Sequence, residues 1–129
     1  MITVPISDGS GTLNRYSDFS SPAGGHRTVD VWCPPGYAEA VETRYPVLYM
    51  HDGQNIFDPA LAYGGVDWGV DEAMLRLIRE DRVMGAIIVG VWNSSQRWQD
   101  YMPQKSLEST EGEPLLPKFT ANSGSPSVD

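Results

Sequence analysis

Two apolar runs separated by one amphipathic segment constrain the fold of this chain more than any other feature. The runs cover residues 45–50 and 86–92, and both are rich in residues that favour β-strands. The segment between them repeats apolar residues at the spacing of one helix face, namely Val66, Val70, Ala73, Met74, Leu77 and Ile78. Strand, helix and strand in this order predict a βαβ unit, in which the two strands are parallel. The unbroken apolar run also predicts that strand 45–50 is buried on both faces, and Asp67 is the expected cap of the helix.

The rest of the chain gives weaker signals. The stretch HRTVDVWCP at residues 26–34 alternates, which predicts a half-exposed antiparallel strand near a sheet edge. Its two faces carry Val29, Val31 and Cys33 on one side, and Thr28, Asp30 and Trp32 on the other. Residues 1–25 are strand-like only at residues 2–6, so they are expected to form an N-terminal extension or an edge strand. Residues 104–129 have no sustained period and are expected to form a flexible loop or tail.

Short polar stretches follow both strands of the predicted βαβ unit. HDGQN comes after residue 50, and NSSQRW comes after residue 92. Because parallel strands bring their carboxyl ends to the same edge of a sheet, we expect these stretches to be neighbours. The predicted site residues are His51, Asp52, Gly53, Gln54, Asn55, Asn93 and Arg97. Gly53 allows a sharp turn whose backbone N–H groups could hold a developing oxyanion, although a simple turn stabilised by its own Asp and Asn would use the same residues.

Charge and composition exclude several classes of function. The formal net charge of -8 disfavours binding to nucleic acid and to anionic membranes. Cys33 is the only cysteine, so no internal disulfide is possible. His26 and His51 do not have zinc-site spacing, and the acidic residues after residue 50 do not match a calcium loop, so we expect no metal and no other cofactor. Without a signal-peptide pattern or an apolar run of about 20 residues, the expected location is the cytoplasm.

Four stretches of the chain together resemble one protein family. They are RTVDVWCPPGY, YPVLYMHDGQNIFD, DWGVDEAM and IIVGVWNSSQRWQDYMP, in this order between residues 27 and 103. Their combination resembles the N-terminal part of the Putative esterase (esterase D-like) family of α/β-hydrolases. The resemblance implies that residues 26–103 form part of a mostly parallel sheet flanked by helices. It also implies acyl transfer from a small-molecule ester through a serine nucleophile, usually to water.

The resemblance also implies roles for the predicted site residues. It places the loop of His51, Asp52, Gly53 and Gln54 at the oxyanion-hole position, where the backbone N–H of Gly53 or Gln54 would be the donor. Asn93 and Arg97 would border the substrate cleft.

The sequence lacks the nucleophile that this fold uses. No serine has glycine two residues before and two residues after it, as the G-x-S-x-G elbow requires. Both histidines are also in the wrong place, because the histidine of this fold comes after the serine and the acidic residue in the chain. We therefore expect a fragment of a serine-type carboxylic ester hydrolase that lacks the catalytic triad and is inactive alone. Strand 86–92 is expected to lack one neighbour, and an incomplete sheet of this kind favours self-association.

Three alternatives use the same residues differently. A non-catalytic module could bind carbohydrate or an aromatic ester by stacking on Trp68, Trp92, Trp98 and Tyr101, although ordinary packing would also explain these aromatic residues. An acyltransferase would share the site of an esterase. The stretch PPGY at residues 34–37 matches a proline-rich ligand motif, but a turn that ends a strand explains it equally.

Overall fold

A mixed five-stranded β-sheet organises the chain. The computed structural model describes residues 1–6, 11–22 and 25–102. The strands and helices are β1 (Ile2–Val4), β2 (Thr12–Ser20), β3 (His26–Cys33), β4 (Val47–His51), α1 (Val70–Arg79), β5 (Ile87–Val91) and α2 (Arg97–Tyr101). Two short 3-10 turns, Gly53–Asn55 and Tyr63–Gly65, lie between β4 and α1. The strand order across the sheet is β1-β2-β3-β5-β4.

The chain divides into two compact units, Met1–Asn93 and Ser94–Asp129. The first unit contains the whole sheet and α1. In the second unit the structure describes residues 94–102, which include α2. The predicted loop or tail at residues 104–129 lies outside the described residues. Within the described ranges, no helix combines the length and the apolar character that crossing a bilayer requires.

The predicted βαβ unit is confirmed by the pairing of β4 with β5. These strands are parallel from Val47 opposite Ile87 to His51 opposite Val91, and α1 lies between them in the chain. The other described pairings, β1 with β2, β2 with β3 and β3 with β5, are antiparallel. The described residues thus form a mixed sheet with few helices, and the mostly parallel sheet flanked by helices that the resemblance implies stays a prediction.

The core lies against one face of this sheet. Leu13, Trp32 and Ile88 sit opposite one another on β2, β3 and β5, and all three are buried. Ile56 and Phe57, from the segment after β4, and Leu75, from α1, complete the buried cluster. Burial of these large side chains is the main favourable term in the stability of the unit.

The positions of β3 and β4 in the sheet are the reverse of those predicted. β3 is not near an edge but in the centre, because β2 pairs with it on one side and β5 on the other. β4 is one of the two edge strands of the described sheet, and its Val47, Leu48 and Tyr49 are exposed rather than buried on both faces. Strand β5, which was expected to lack a neighbour, has one on each side.

Two local predictions near α1 and β2 were also wrong. Gly69, in a left-handed conformation with φ of 58°, occupies the N-cap of α1, so Asp67 does not cap this helix. The helix begins at Val70 and leaves Val66 exposed outside it. The nine-residue strand β2 was not predicted, because its polar residues conceal the strand pattern.

Candidate functional site

The turn after β4 and the loop after β5 are joined by hydrogen bonds at the carboxyl ends of these two strands. The side-chain Nδ2 of Asn93 donates to Oδ1 of Asp52 at 2.9 Å. The backbone N–H of Asn93 donates to Oε1 of Gln54 at 3.3 Å. The parallel pairing of β4 and β5 brings these two loops together, so the expected juxtaposition of Asp52, Gln54 and Asn93 is present.

Gly53 lies where the turn approaches β5 most closely. A Cβ atom at this position would lie 2.6 Å from the carbonyl carbon of Gly90 and 2.8 Å from Cδ1 of Trp92. Real Cβ atoms do not make contacts this short, so only glycine fits here. The turn is therefore held directly against the backbone of β5.

The backbone hydrogen bonds of this turn begin at its third residue. The N–H of Asn55 donates to the carbonyl of Asp52 at 2.9 Å, and the N–H of Ile56 donates to the carbonyl of Gly53 at 3.3 Å. The first N–H groups of a helical turn have no acceptor within the turn. The N–H groups of Gly53 and Gln54 are those first groups, and they are the two candidates that the family resemblance implies for the oxyanion donor.

Asp52 has a left-handed backbone conformation, with φ of 55° and ψ of 44°. A non-glycine residue in this region costs of the order of 1–3 kcal/mol, and such residues are frequent at functional sites. Asp is one of the few residue types that tolerate this conformation. The strained residue lies directly before the candidate donors.

Asn55 fixes the loop that follows the turn. Its side-chain Oδ1 accepts the N–H of Tyr63 at 2.8 Å, and its carbonyl accepts the N–H of Trp68 at 2.8 Å. Tyr63 is 95% exposed and Trp68 is 52% exposed. Asn55 thereby holds two accessible aromatic residues beside the turn.

The two remaining predicted site residues are His51 and Arg97. His51 is the exposed last residue of β4. Arg97 begins α2 in the second unit, where its guanidinium lies 5.9 Å from the ring centroid of Trp98 and 5.1 Å from that of Tyr101. At these distances the Arg97 guanidinium makes cation–π contacts with both rings.

Sequence analysis missed a buried ion pair next to these strand ends. Arg15 donates from Nε to Oδ1 of Asp30 at 2.8 Å and from Nη2 to Oδ2 at 2.8 Å, and the Asp30 side chain is fully buried. Nε1 of Trp92 donates to the same Oδ2 at 3.0 Å. The hydrogen bond to Asp30 raises the pKa of Arg15 above its ordinary value, although burial opposes this effect. The sequence did contain one signal of this buried carboxylate, because Asp30 alternates onto the same face of the predicted strand as Trp32.

A comparison with protein families identifies the chain. The sequence pattern of a family described as Putative esterase matches residues 20–119, a span that covers most of the chain and includes both joined loops. The chain belongs to the Putative esterase family. At the level of this family it is an esterase-like hydrolase, which confirms the resemblance found in the four sequence stretches. A comparison with curated protein sequences gives no match.

This Putative esterase chain has one described group of carboxylates that could hold a cation. In residues 1–6, 11–22 and 25–102, it consists of Asp67, Asp71 and Glu72, with oxygens within 4.8 Å of one another. Burial raises the pKa of Asp67, and the charge of Glu72 adds to this effect. Asp71 and Glu72 lie in the first turn of α1, where the helix dipole stabilises acidic residues without any metal. The arrangement therefore gives no reason to assign a metal to these three carboxylates.

Proposed function

We propose that this chain supplies the oxyanion-binding turn and one wall of the substrate cleft of a serine-type carboxylic ester hydrolase. The observation that carries the proposal is the pair of joined loops, in which Asn93 bonds to both Asp52 and Gln54. Ligands of open α/β sheets bind at the carboxyl ends of parallel strands, which is where these loops lie. Membership of the Putative esterase family supports esters as the substrate class. In this proposal β4 and β5 belong to a larger, mostly parallel α/β-hydrolase sheet.

The turn would act on the negative charge that develops during acyl transfer. A serine hydroxyl attacks the ester carbonyl carbon, and the electron pair of the C=O bond moves to its oxygen. The N–H of Gly53 or Gln54 donates to this oxyanion, and one such donor contributes about 2.7–4 kcal/mol to the barrier reduction in other enzymes. A general base, which like the nucleophile would come from residues other than these 129, takes the serine proton and passes it to the alkoxide that the collapsing oxyanion expels, so that an alcohol leaves. Water then attacks the acyl-serine, which releases the acid and returns a proton to the serine. Transfer to a second alcohol instead of water would make the protein an acyltransferase.

The nucleophile of this reaction would come from residues other than these 129. None of the serines lies in the G-x-S-x-G elbow that exposes the nucleophile in this fold. We therefore expect the purified 129-residue chain to hydrolyse p-nitrophenyl acetate no faster than a blank that contains the same buffer without the chain. Turnover well above that blank, abolished by a serine-directed phosphonate, would contradict the proposal.

Two substitutions at Gln54 test the oxyanion donor separately from the side chain. Gln54→Pro removes the backbone N–H, and proline is tolerated in the first turn of a helix. Gln54→Ala keeps the N–H and removes the same contact with Asn93. Binding of benzoate, a carboxylate product analogue, is followed by amide NMR shifts on the 129-residue chain.

Benzoate should shift the Gly53 and Gln54 amide signals, and Gln54→Pro should weaken binding about tenfold more than Gln54→Ala, since a hydrogen bond to a charged group contributes about 1.5–3 kcal/mol. Shifts confined to residues remote from the turn, or equal affinities of the two variants, would count against an oxyanion-binding role.

The exposed aromatic residues favour one second candidate function. Tyr63 and Trp68 are accessible and held beside the turn by Asn55, so they could stack on a sugar or an aromatic ester without catalysis. A titration with feruloylated oligosaccharide, followed by tryptophan fluorescence, tests this candidate. Trp68→Ala should abolish the response and Trp98→Ala, a change of an exposed residue in the second unit, should not. An unchanged response in Trp68→Ala would exclude this binding surface.

A further inference from the structure

A fully buried carboxylate lies on the core face of the sheet and has no part in the ester chemistry proposed above. Asp30 accepts two hydrogen bonds from Arg15 on β2 and one from Trp92, which follows β5. Its side chain is 0% exposed, and the side chain of Arg15 is only 14% exposed. Burying this pair costs desolvation that an apolar pair would avoid, so its stabilising effect alone does not account for it.

The Trp92 indole connects this carboxylate to the turn at Gly53. Nε1 and Cδ1 are bonded neighbours in the indole ring; Nε1 donates to Asp30, and Cδ1 is the atom that a Cβ on Gly53 would meet at 2.8 Å. The guanidinium of Arg15 lies over the same ring, 4.6 Å from its centroid. The ring is therefore fixed along one edge by Asp30 and on one face by Arg15, and its adjoining edge packs against the turn.

We infer that Asp30 and Trp92 are positioning residues for the Gly53–Asn55 turn. Asp30 orients the indole, and the indole holds Gly53 against Gly90, which sets the direction of the N–H groups of Gly53 and Gln54. Functional donors have to be held to within about 0.5 Å of their productive positions, and a rigid ring behind the turn provides that support. The functional meaning of this inference rests on the proposed oxyanion role, since neither residue touches a substrate.

Hydrogen exchange of the 129-residue chain tests the inference through the turn's own hydrogen bonds. The reporters are the N–H groups of Asn55 and Ile56, and the reference is the N–H of Ile87, which donates to Pro46 at 2.9 Å between the same two strand regions. Trp92→Phe removes the indole N–H and keeps an aromatic ring. We expect exchange at Asn55 and Ile56 to become about tenfold faster, with Ile87 changed by less than about threefold.

Asp30→Asn also unpairs the Arg15 charge and destabilises the whole unit, but it should speed exchange at Asn55 and Ile56 more than at Ile87, because it weakens the acceptor for the indole. The matched controls are Trp98→Phe and Asp18→Asn, which alter exposed residues of the same types and should leave all three amides unchanged. Faster exchange of all three amides by the same factor would show a merely structural role and overturn the inference, as would unchanged exchange at Asn55 and Ile56.

The unaltered chain provides a second test that does not depend on the folding of a variant. If ring and turn open together, the indole N–H of Trp92 and the N–H of Asn55 should have protection factors within about threefold of each other, and lower than that of Ile87, at each urea concentration. Protection factors that differ by more than about tenfold would overturn the inference.

These exchange results also separate the inference from the proposed function. Selective loosening of the turn combined with no benzoate response at Gly53 and Gln54 would refute the oxyanion role and leave the positioning of the turn intact. A benzoate response without selective loosening would refute the positioning role alone.

Discussion

Replacing Gly53 by alanine tests how closely the turn approaches β5. The added Cβ would lie 2.6 Å from the carbonyl carbon and 2.7 Å from the carbonyl oxygen of Gly90, and 2.8 Å from Cδ1 of Trp92. Gly90 lies in β5, which pairs with β3 on one side and β4 on the other, so its backbone cannot move away without disturbing both neighbours. Overpacking a rigid site typically costs 1–3 kcal/mol, and three simultaneous overlaps with rigid atoms predict the upper end, about 3 kcal/mol of unfolding free energy.

Urea unfolding, followed by far-ultraviolet circular dichroism, measures this change. Gly36→Ala is the matched control, because a Cβ there meets nothing within 4 Å and only the left-handed conformation, with φ of 77°, opposes the substitution. That conformational cost is about 1–2 kcal/mol. Gly53→Ala should therefore be clearly more destabilising than Gly36→Ala. If Gly53→Ala is as stable as Gly36→Ala or more so, the close approach of turn and strand is wrong.

Three further predictions follow from the ion pair, the thiol and the edge strand. Asp30→Leu should lower the unfolding free energy by about 3 kcal/mol, because it leaves a mostly buried charge on Arg15 unpaired. Adding Arg15→Met should recover most of this loss, and a double variant no more stable than Asp30→Leu would refute the prediction. Burial raises the pKa of the Cys33 thiol, so less of the reactive thiolate is present at a given pH. Iodoacetamide at pH 8 should therefore alkylate Cys33 more slowly in the folded chain than in urea, and equal rates would contradict the burial effect. We propose that the open edge of β4 mediates self-association. Tyr49→Lys, a change of an exposed residue on this strand, should then lower the sedimentation coefficient at high protein concentration. If the unaltered chain associates and the variant gives the same sedimentation distribution, this edge is excluded.

The sequence predicts those parts of the fold that depend on local pattern. β3, β4, β5 and α1 all lie where alternation, apolar runs or helical spacing place them, and the parallel pairing of β4 with β5 follows from the helix between them. β2 could not be found in this way, because Asn14 and Arg15 interrupt its apolar residues and its pairing with β3 is what makes it a strand. The position of a strand in the sheet likewise depends on distant partners, which explains why β3 and β4 were misplaced.

The candidate site shows the same division. Asp52, Gln54 and Asn93 were predicted to be neighbours because parallel strands end at a common edge, and the structure joins them. The contact of Arg15 and Asp30 with Trp92 requires the order of β2, β3 and β5, and no local pattern encodes that order. The roles of the site residues in binding or catalysis stay predictions for the experiments above.

The buried ion pair also determines how the central strands align. Arg15 lies opposite Asp30, and Asp30 lies opposite Gly90. A slip of one residue along β3 would turn Val29 and Val31 toward the core and would take the fully buried Trp32 out of it. The same slip would move Asp30 to the opposite face and leave the Arg15 guanidinium without its carboxylate in a poorly solvated position, at a cost of several kcal/mol. One pair of charges thus opposes the slipped register in addition to the burial of Trp32.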